Sequence, residues 1–141
     1  MTRRVVFSVV VLLALGACAS PPDRPGTGEV LPPCGRFPNC VNSQSGDGVH
    51  AVLPLSATAT QWDALKQWLR QQEGWRITVD QGLFLQCVAT TPIMGFRDDV
   101  QLLYQPDALL IQVRSSSRMG FSDMGANRQR VEALRRELAG P

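Results

Sequence analysis

Two strand–turn–strand patterns between residues 75 and 114 restrict this chain more than any other feature. Residues 75–79 and 83–89 alternate apolar and polar side chains around Asp80-Gln81-Gly82, where the glycine suits a positive φ. Pairing Val79 with Leu83 sets Ile77 opposite Leu85 and Trp75 opposite Cys87, which gathers apolar residues on one face. A one-residue slip would mix the faces, so the pattern selects this register and makes Cys87 a buried core thiol. Residues 99–105 and 108–114 repeat the arrangement around Pro106-Asp107. Here Val100/Val113, Leu102/Ile111 and Tyr104/Leu109 share the apolar face, while Gln101/Gln112 and the charge pair Asp99/Arg114 share the other.

Helical periodicity flanks these hairpins. Thr60 with Asp63 three residues on predicts an N-cap and capping box. Trp62, Leu65, Trp68 and Leu69 follow at helical spacing, and Gly74 ends the helix. A weaker alternation at Val49, Ala51, Leu53 and Leu55 predicts a short strand ahead of it. At the far end Met124, Val131, Leu134 and Leu138 predict a terminal helix, capped near Ser122 or Asp123 and stopped by Gly140-Pro141. The fold class expected is α+β: a two-layer sandwich with a mainly antiparallel sheet of four to five strands and two helices, in the order β-α-β-β-β-β-α.

The amino end is of another kind. Arg3 and Arg4 precede eleven residues, 5–15, that are apolar except for Ser8, and Gly16-Ala17 then supplies small side chains. As a helix that run reaches about 16 Å, against a bilayer core of roughly 30 Å, so it reads as a secretory signal and not as a span. Leu15-Gly16-Ala17-Cys18 looks like a lipobox, which predicts cleavage before Cys18 and acylation of that cysteine with palmitate-type chains. The domain organisation expected is a signal peptide at 1–17, a lipidated cysteine with a Pro/Gly-rich tether at 18–33, and one globular domain at 34–141. Ala19 follows the lipid cysteine where an aspartate would favour inner-membrane retention. The expected location is therefore the bacterial cell envelope, on the outer membrane facing the periplasm. Loss of Arg3 and Arg4 leaves twelve basic residues against twelve acidic ones. A neutral mature chain gives no warrant for a nucleic-acid partner.

Cys34 and Cys40 flank a turn-rich loop, and in an exported protein two cysteines so close most often pair. Metal binding through Cys34, Cys40, His50 or Cys87 is the rival, with C-x₅-C spacing outside the usual zinc knuckle. Two free thiols are the third alternative.

Polar residues crowd between residues 98 and 130: Asp98-Asp99, Arg114-Ser115-Ser116-Ser117-Arg118, Gly120, Asp123, Gly125, Asn127, Arg128 and Arg130. Three segments here and upstream resemble a known family, the bacterial and plastid domain of unknown function 1499. They are CGRFPNCVNS at 34–43, with one spacer residue more than the family's box, GFRDDV at 95–100, and VRSSSRMGFSDMGANRQR at 113–130. The resemblance spans roughly residues 33–138. It implies a fold and an exported or membrane-associated setting, and it carries no reaction.

Read physically, the cluster predicts first an ion-pair network. Asp98, Asp99 and Asp123 would accept from Arg114, Arg118 and Arg128, with Asn127 facing inward one turn before Val131. On this reading the protein is a structural or interaction module. The alternative uses the same residues as a site for a small anionic or polar envelope ligand: Ser115 and Ser117 hydroxyls, an arginine, and the start of the last helix. Catalysis stands third. His50 has no nucleophile motif beside it, no serine lies in a G-x-S-x-G elbow, and adjacent strand aspartates point to opposite faces. No cofactor and no metal are implied. The partners expected are the membrane, through Cys18, and an envelope protein or small anion. A protein partner would find an apolar patch at Phe84, Val88, Leu103 and Leu110, on the sheet face away from the helices, unless the Cys34 loop and first strand cover it.

Overall fold

The structure is a computed structural model that describes residues 30–46 and 48–140. The expected signal peptide, Cys18 and most of the tether lie outside the described residues. The elements run β1 (Cys40–Asn42), β2 (Leu55–Ser56), α1 (Ala59–Gln71), β3 (Trp75–Gln81), β4 (Phe84–Thr90), β5 (Arg97–Gln105), a 3₁₀ turn (Pro106–Ala108), β6 (Leu110–Ser117) and α2 (Ala126–Ala139). The sheet is antiparallel, in the order β1-β6-β5-β4-β3, with β2 also pairing β6. Both helices pack on one face, which gives the α+β two-layer architecture, and the sheet has six strands. The extra one, β1, falls in the cysteine box that reads as loop in sequence.

The core follows from strand parity. Leu85, Cys87, Val100, Leu102, Tyr104, Ile111 and Val113 point to the helix side, where Trp62, Leu65 and Leu69 of α1 and Val131, Leu134 and Leu138 of α2 cover them. Each fully buried leucine contributes about 1.5–3 kcal/mol. Trp62 stacks on Tyr104 with ring centres 5.6 Å apart, and its Nε1 donates to the Gly82 carbonyl at 3.0 Å, which docks the first hairpin turn on α1. Burial pushes the Cys87 thiol up to about 12, so it packs as a neutral group.

Both registers differ from expectation. In the second hairpin the 3₁₀ turn and Leu109, held at φ 52°, take four residues out of pairing. Facing positions move by two: Val100 meets Ser115, Leu102 meets Val113, Tyr104 meets Ile111. A shift of two keeps every paired side chain on its face, so Val100, Leu102, Tyr104, Ile111 and Val113 are core as expected with new neighbours, and Leu109 alone of the expected face drops out. Asp99 therefore faces Ser116 and not Arg114, and Leu109 is exposed. In the first hairpin Trp75 faces Ala89 and Ile77 faces Cys87, and a bulge between Ile77 and Val79 turns Asp80 to the helix side. There Asp80 accepts from Lys66 at 3.0 Å and Arg70 at 2.9 Å.

The ends of α1 also correct the sequence reading. The capping box is Thr58 with Gln61: the Thr58 hydroxyl accepts from Gln61 N at 3.3 Å, and Gln61 Oε1 accepts from Thr58 N at 2.8 Å. The helix starts early because glutamine at the third position closes the box as well as an acid would. Beyond it, Gly74 sits at φ +77°, and an added Cβ would lie 2.8 Å from the Thr90 carbonyl oxygen, a contact that only glycine escapes. The strand expected at Val49 to Leu55 contracts to β2 and a single bridge at Ala51, with Val49 and Leu53 exposed. Leu31, by contrast, is buried, and its N–H donates to Gln44 Oε1 at 2.7 Å.

Candidate functional site

The sequence cluster assembles at one end of the sandwich, where β5 starts, β6 ends, and β1 and α2 begin. Strand parity splits Asp98 from Asp99. Asp98 faces the helices, and its Oδ2 accepts from Arg130 Nη2 at 2.6 Å. Arg130 Nη1 also donates to Asn127 Oδ1 at 2.7 Å and Ser115 Oγ at 3.0 Å. Asn127 is fully buried and uses both ends of its amide. Its Oδ1 also accepts from Ser115 Oγ at 2.6 Å, while Nδ2 donates to the Asn39 carbonyl, Ser117 Oγ and Asp123 Oδ2 at 2.7–3.0 Å. One side chain thereby ties β1, β6 and α2 together.

Asp99 turns to the other face. Its two oxygens accept from Arg118 Nε at 2.8 Å and Nη2 at 2.7 Å, a two-pronged carboxylate–guanidinium pair. Arg114 lies on that face, opposite Gln101 in the register. Burial lowers its pKa and the charge of Asp99 opposes the fall. Its Nε and Nη1 are buried without a hydrogen-bond partner. Arg114 thus balances Asp99 through charge alone, where the sequence predicts a direct pair.

Asp123 governs the start of α2. Oδ1 accepts from Gly125 N at 3.0 Å and Oδ2 from Asn127 N at 2.8 Å. Burial raises its carboxyl, but these N–H bonds outweigh it and hold the group below its ordinary value. It therefore holds the helix start, where the sequence places a cap, and takes no arginine, contrary to the expected ion pair. Arg128 also departs from the expected network: it sits on an outer face of α2 and donates to the carbonyls of Ala51 at 2.8 Å and Val49 at 3.1 Å. Met124 lies outside α2, at φ 52° and 94 % exposed, so it is no part of the core.

Arg130, counted in the sequence cluster but given no partner there, and Asn39 are the members whose part in the network sequence reasoning missed. The signal for Arg130 was present, since it lies three residues after Asn127 and four before Leu134, on the inward face. Asn39 works through its carbonyl, and its Nδ2 donates to the Gly120 carbonyl at 2.7 Å, contacts that composition does not mark.

Cys34 and Cys40 form a disulfide, Cα atoms 5.7 Å apart, which leaves neither thiol for a metal. His50 is buried with Nδ1 donating to the Cys40 carbonyl at 2.9 Å. Among the described residues no three His, Cys, Asp or Glu side chains gather as a metal site. Phe84 and Val88 are buried and Leu103 and Leu110 are half-buried, so the open apolar patch expected on the second face is absent at the first two positions. A cleft of about 290 Å³ opens at the polar corner between Phe96, Asp98, Ser117, Met119 and Asp123.

The fold and corner define a class: a small α+β domain with a disulfide-tied first strand and a buried Asp–Arg–Asn lock across the last strand and helix. The family described as "Protein of unknown function (DUF1499)" matches residues 30–138, and the chain belongs to it. No curated protein and no solved structure matches the chain.

Proposed function

We propose that this chain is an envelope lipoprotein, anchored through acylated Cys18 to the outer membrane and facing the periplasm, whose domain is a structural or interaction module. The leader, the lipobox and the disulfide support the exported setting. One observation carries the module reading. Each carboxylate of the corner is engaged: Asp99 with Arg118, Asp98 with Arg130, Asp123 with the backbone N–H groups at the helix start. Such groups brace a surface; they are not poised for proton transfer or nucleophilic attack. The test of the anchor is fractionation with mass analysis. The native chain should sediment with membranes and carry acyl mass on Cys18, and Cys18→Ser should release it. A native chain recovered soluble and unacylated sinks the anchored reading.

A second reading, a small-ligand site, draws on the cleft. Its walls carry the Arg97 guanidinium beside the Asp98 and Asp123 carboxylates, of which Asp98 is paired with Arg130 and Asp123 accepts from the start of α2. A lining that mixes a guanidinium with hydroxyls and engaged carboxylates suits a small polar ligand, a hydroxylated one as well as the anion suggested by sequence.

A further inference from the structure

Exposed apolar side chains are not spread evenly over this domain. Val30, Val49, Leu53, Leu83 and Leu109 are exposed at other points of the chain, as some surface hydrophobics always are. Ile93, Met94, Phe96, Met119, Phe121 and Met124 are also exposed, and all belong to two loops at the polar corner. Those loops are joined to one another. Arg118 N donates to the Arg97 carbonyl at 3.1 Å, and Met94, Phe96 and Met119 line one surface hollow. Phe121 meets Phe37 of the disulfide loop edge-on, with ring centres 5.3 Å apart.

The loops are held in this display. Thr91 N donates to the Phe96 carbonyl, Gly95 N to the Thr91 carbonyl, and Phe96 N to Thr91 Oγ1, which closes the 91–96 turn with its apolar tips outward. The second loop hangs between Arg118, paired with Asp99, and Asp123, which caps α2. Met124 keeps a left-handed backbone that side chains other than glycine seldom adopt, and it projects 94 % exposed. A polar lock beneath and apolar tips above make a presentation device.

We infer that this apolar corner docks on a lipid bilayer surface, Met and Phe tips entering the interface of anionic lipid. The geometry rests on the anchored reading above. Twelve Cα–Cα steps separate Cys18 from Val30, where the described chain begins. Fully extended they span at most about 40 Å, against a radius of gyration of about 13 Å for a domain of this size, so every face of the domain lies within reach of the membrane. A lipid surface is thus the partner held at high local concentration by the tether itself. Charge agrees with it. Arg36 lies over the Phe37 ring at 4.8 Å and Arg97 borders the hollow, both at the rim, while Asp98 and Asp99 are buried and paired. Anionic headgroups would meet cations around an apolar centre. Unbranched methionines and single phenylalanines also suit a disordered acyl boundary better than a matched protein groove.

The experiment uses the mature chain from residue 18 as Cys18→Ser, so that no acyl chain contributes, with vesicles of phosphatidylglycerol and phosphatidylethanolamine. The chain should pellet with these vesicles at millimolar lipid, and less with phosphatidylcholine alone. Measured as the difference from the native chain, whose Trp62, Trp68 and Trp75 emit in every sample, the emission added by Phe121→Trp should shift to the blue and be quenched by brominated lipid, while that added by Leu83→Trp, exposed at the opposite end, should not. Met119→Ser with Met124→Ser should weaken partition by roughly tenfold or more, with an unchanged melting curve as the folding control. Absence of pelleting, equal quenching at both tryptophans, or unchanged partition of the double variant would each overturn the inference. Acyl mass on the membrane-extracted native chain is read separately. Its absence strikes the anchor and leaves the vesicle result standing.

Discussion

Asp98 and Asp99 are consecutive, equally buried and chemically identical, yet they serve different halves of the molecule. Asp98 joins a dense lock on the helix side, where Arg130, Asn127 and Ser115 bond to one another as well as to it. Asp99 faces outward to a simpler arrangement, a bidentate Arg118 with Arg114 nearby. The difference teaches that a strand dipeptide can fasten two separate elements because its side chains diverge. One aspartate bolts α2 to the sheet; the other bolts the loop that follows β6. It also teaches where redundancy lies. Asp98 depends on one cation, whereas Asp99 has two.

The helix side should suffer the larger loss. Arg130→Ala leaves Asp98 and the Asn127 amide oxygen buried with fewer partners, and removal of one member of a buried pair costs about 3–5 kcal/mol. That is a large part of the 5–15 kcal/mol typical of a whole domain. Urea unfolding should show a much lower midpoint with an unchanged slope. Arg118→Ala should cost less, about 1.5–3 kcal/mol, the range for hydrogen bonds to charged groups, because Arg114 still opposes the Asp99 charge. The same titration checks it, and a reversal in the order of the two variants would discard the redundancy argument.

How much of this was legible in sequence follows from what each signal encodes. Alternation reports faces, so Leu85, Cys87, Val100, Leu102, Ile111 and Val113 were placed in the core before any coordinate. Alternation does not report register, because a shift of two leaves it unchanged. The register was set instead by the 3₁₀ turn at Pro106–Ala108 and the left-handed Leu109, neither of which a proline and an aspartate specify uniquely. That one turn moved Asp99 from Arg114 to Ser116 and left Arg118 to reach back to it. At the site, carboxylate-rich and arginine-rich segments announced a network, and Asp98, Asp99, Ser115, Ser117, Arg118, Asp123 and Asn127 all meet there. Their pairing was not announced, since Coulomb attraction is indifferent to which arginine answers which aspartate until geometry decides. The apolar loops escaped notice because they have no period at all.

The smallest effect sharpens the helix side through pH. Asp123 holds the start of α2 by accepting backbone N–H groups, and its carboxyl lies below the ordinary value of 3.8. A carboxyl lowered by folding adds stability that is complete above its unfolded value and drains away as pH falls through the folded one. Asp123→Ala removes that contribution together with the cap, so near neutrality it should cost about 1 kcal/mol. The gap between native and variant should hold down to about pH 4 and narrow below it, as the native carboxylate takes a proton and the two proteins lose their difference. Denaturant titrations at neutral pH, near pH 4 and well below it give the three points required. A gap that stays constant into strong acid would mean that the Asp123 charge contributes nothing to the helix start, and that Asn127 alone fixes α2 against β1 and β6.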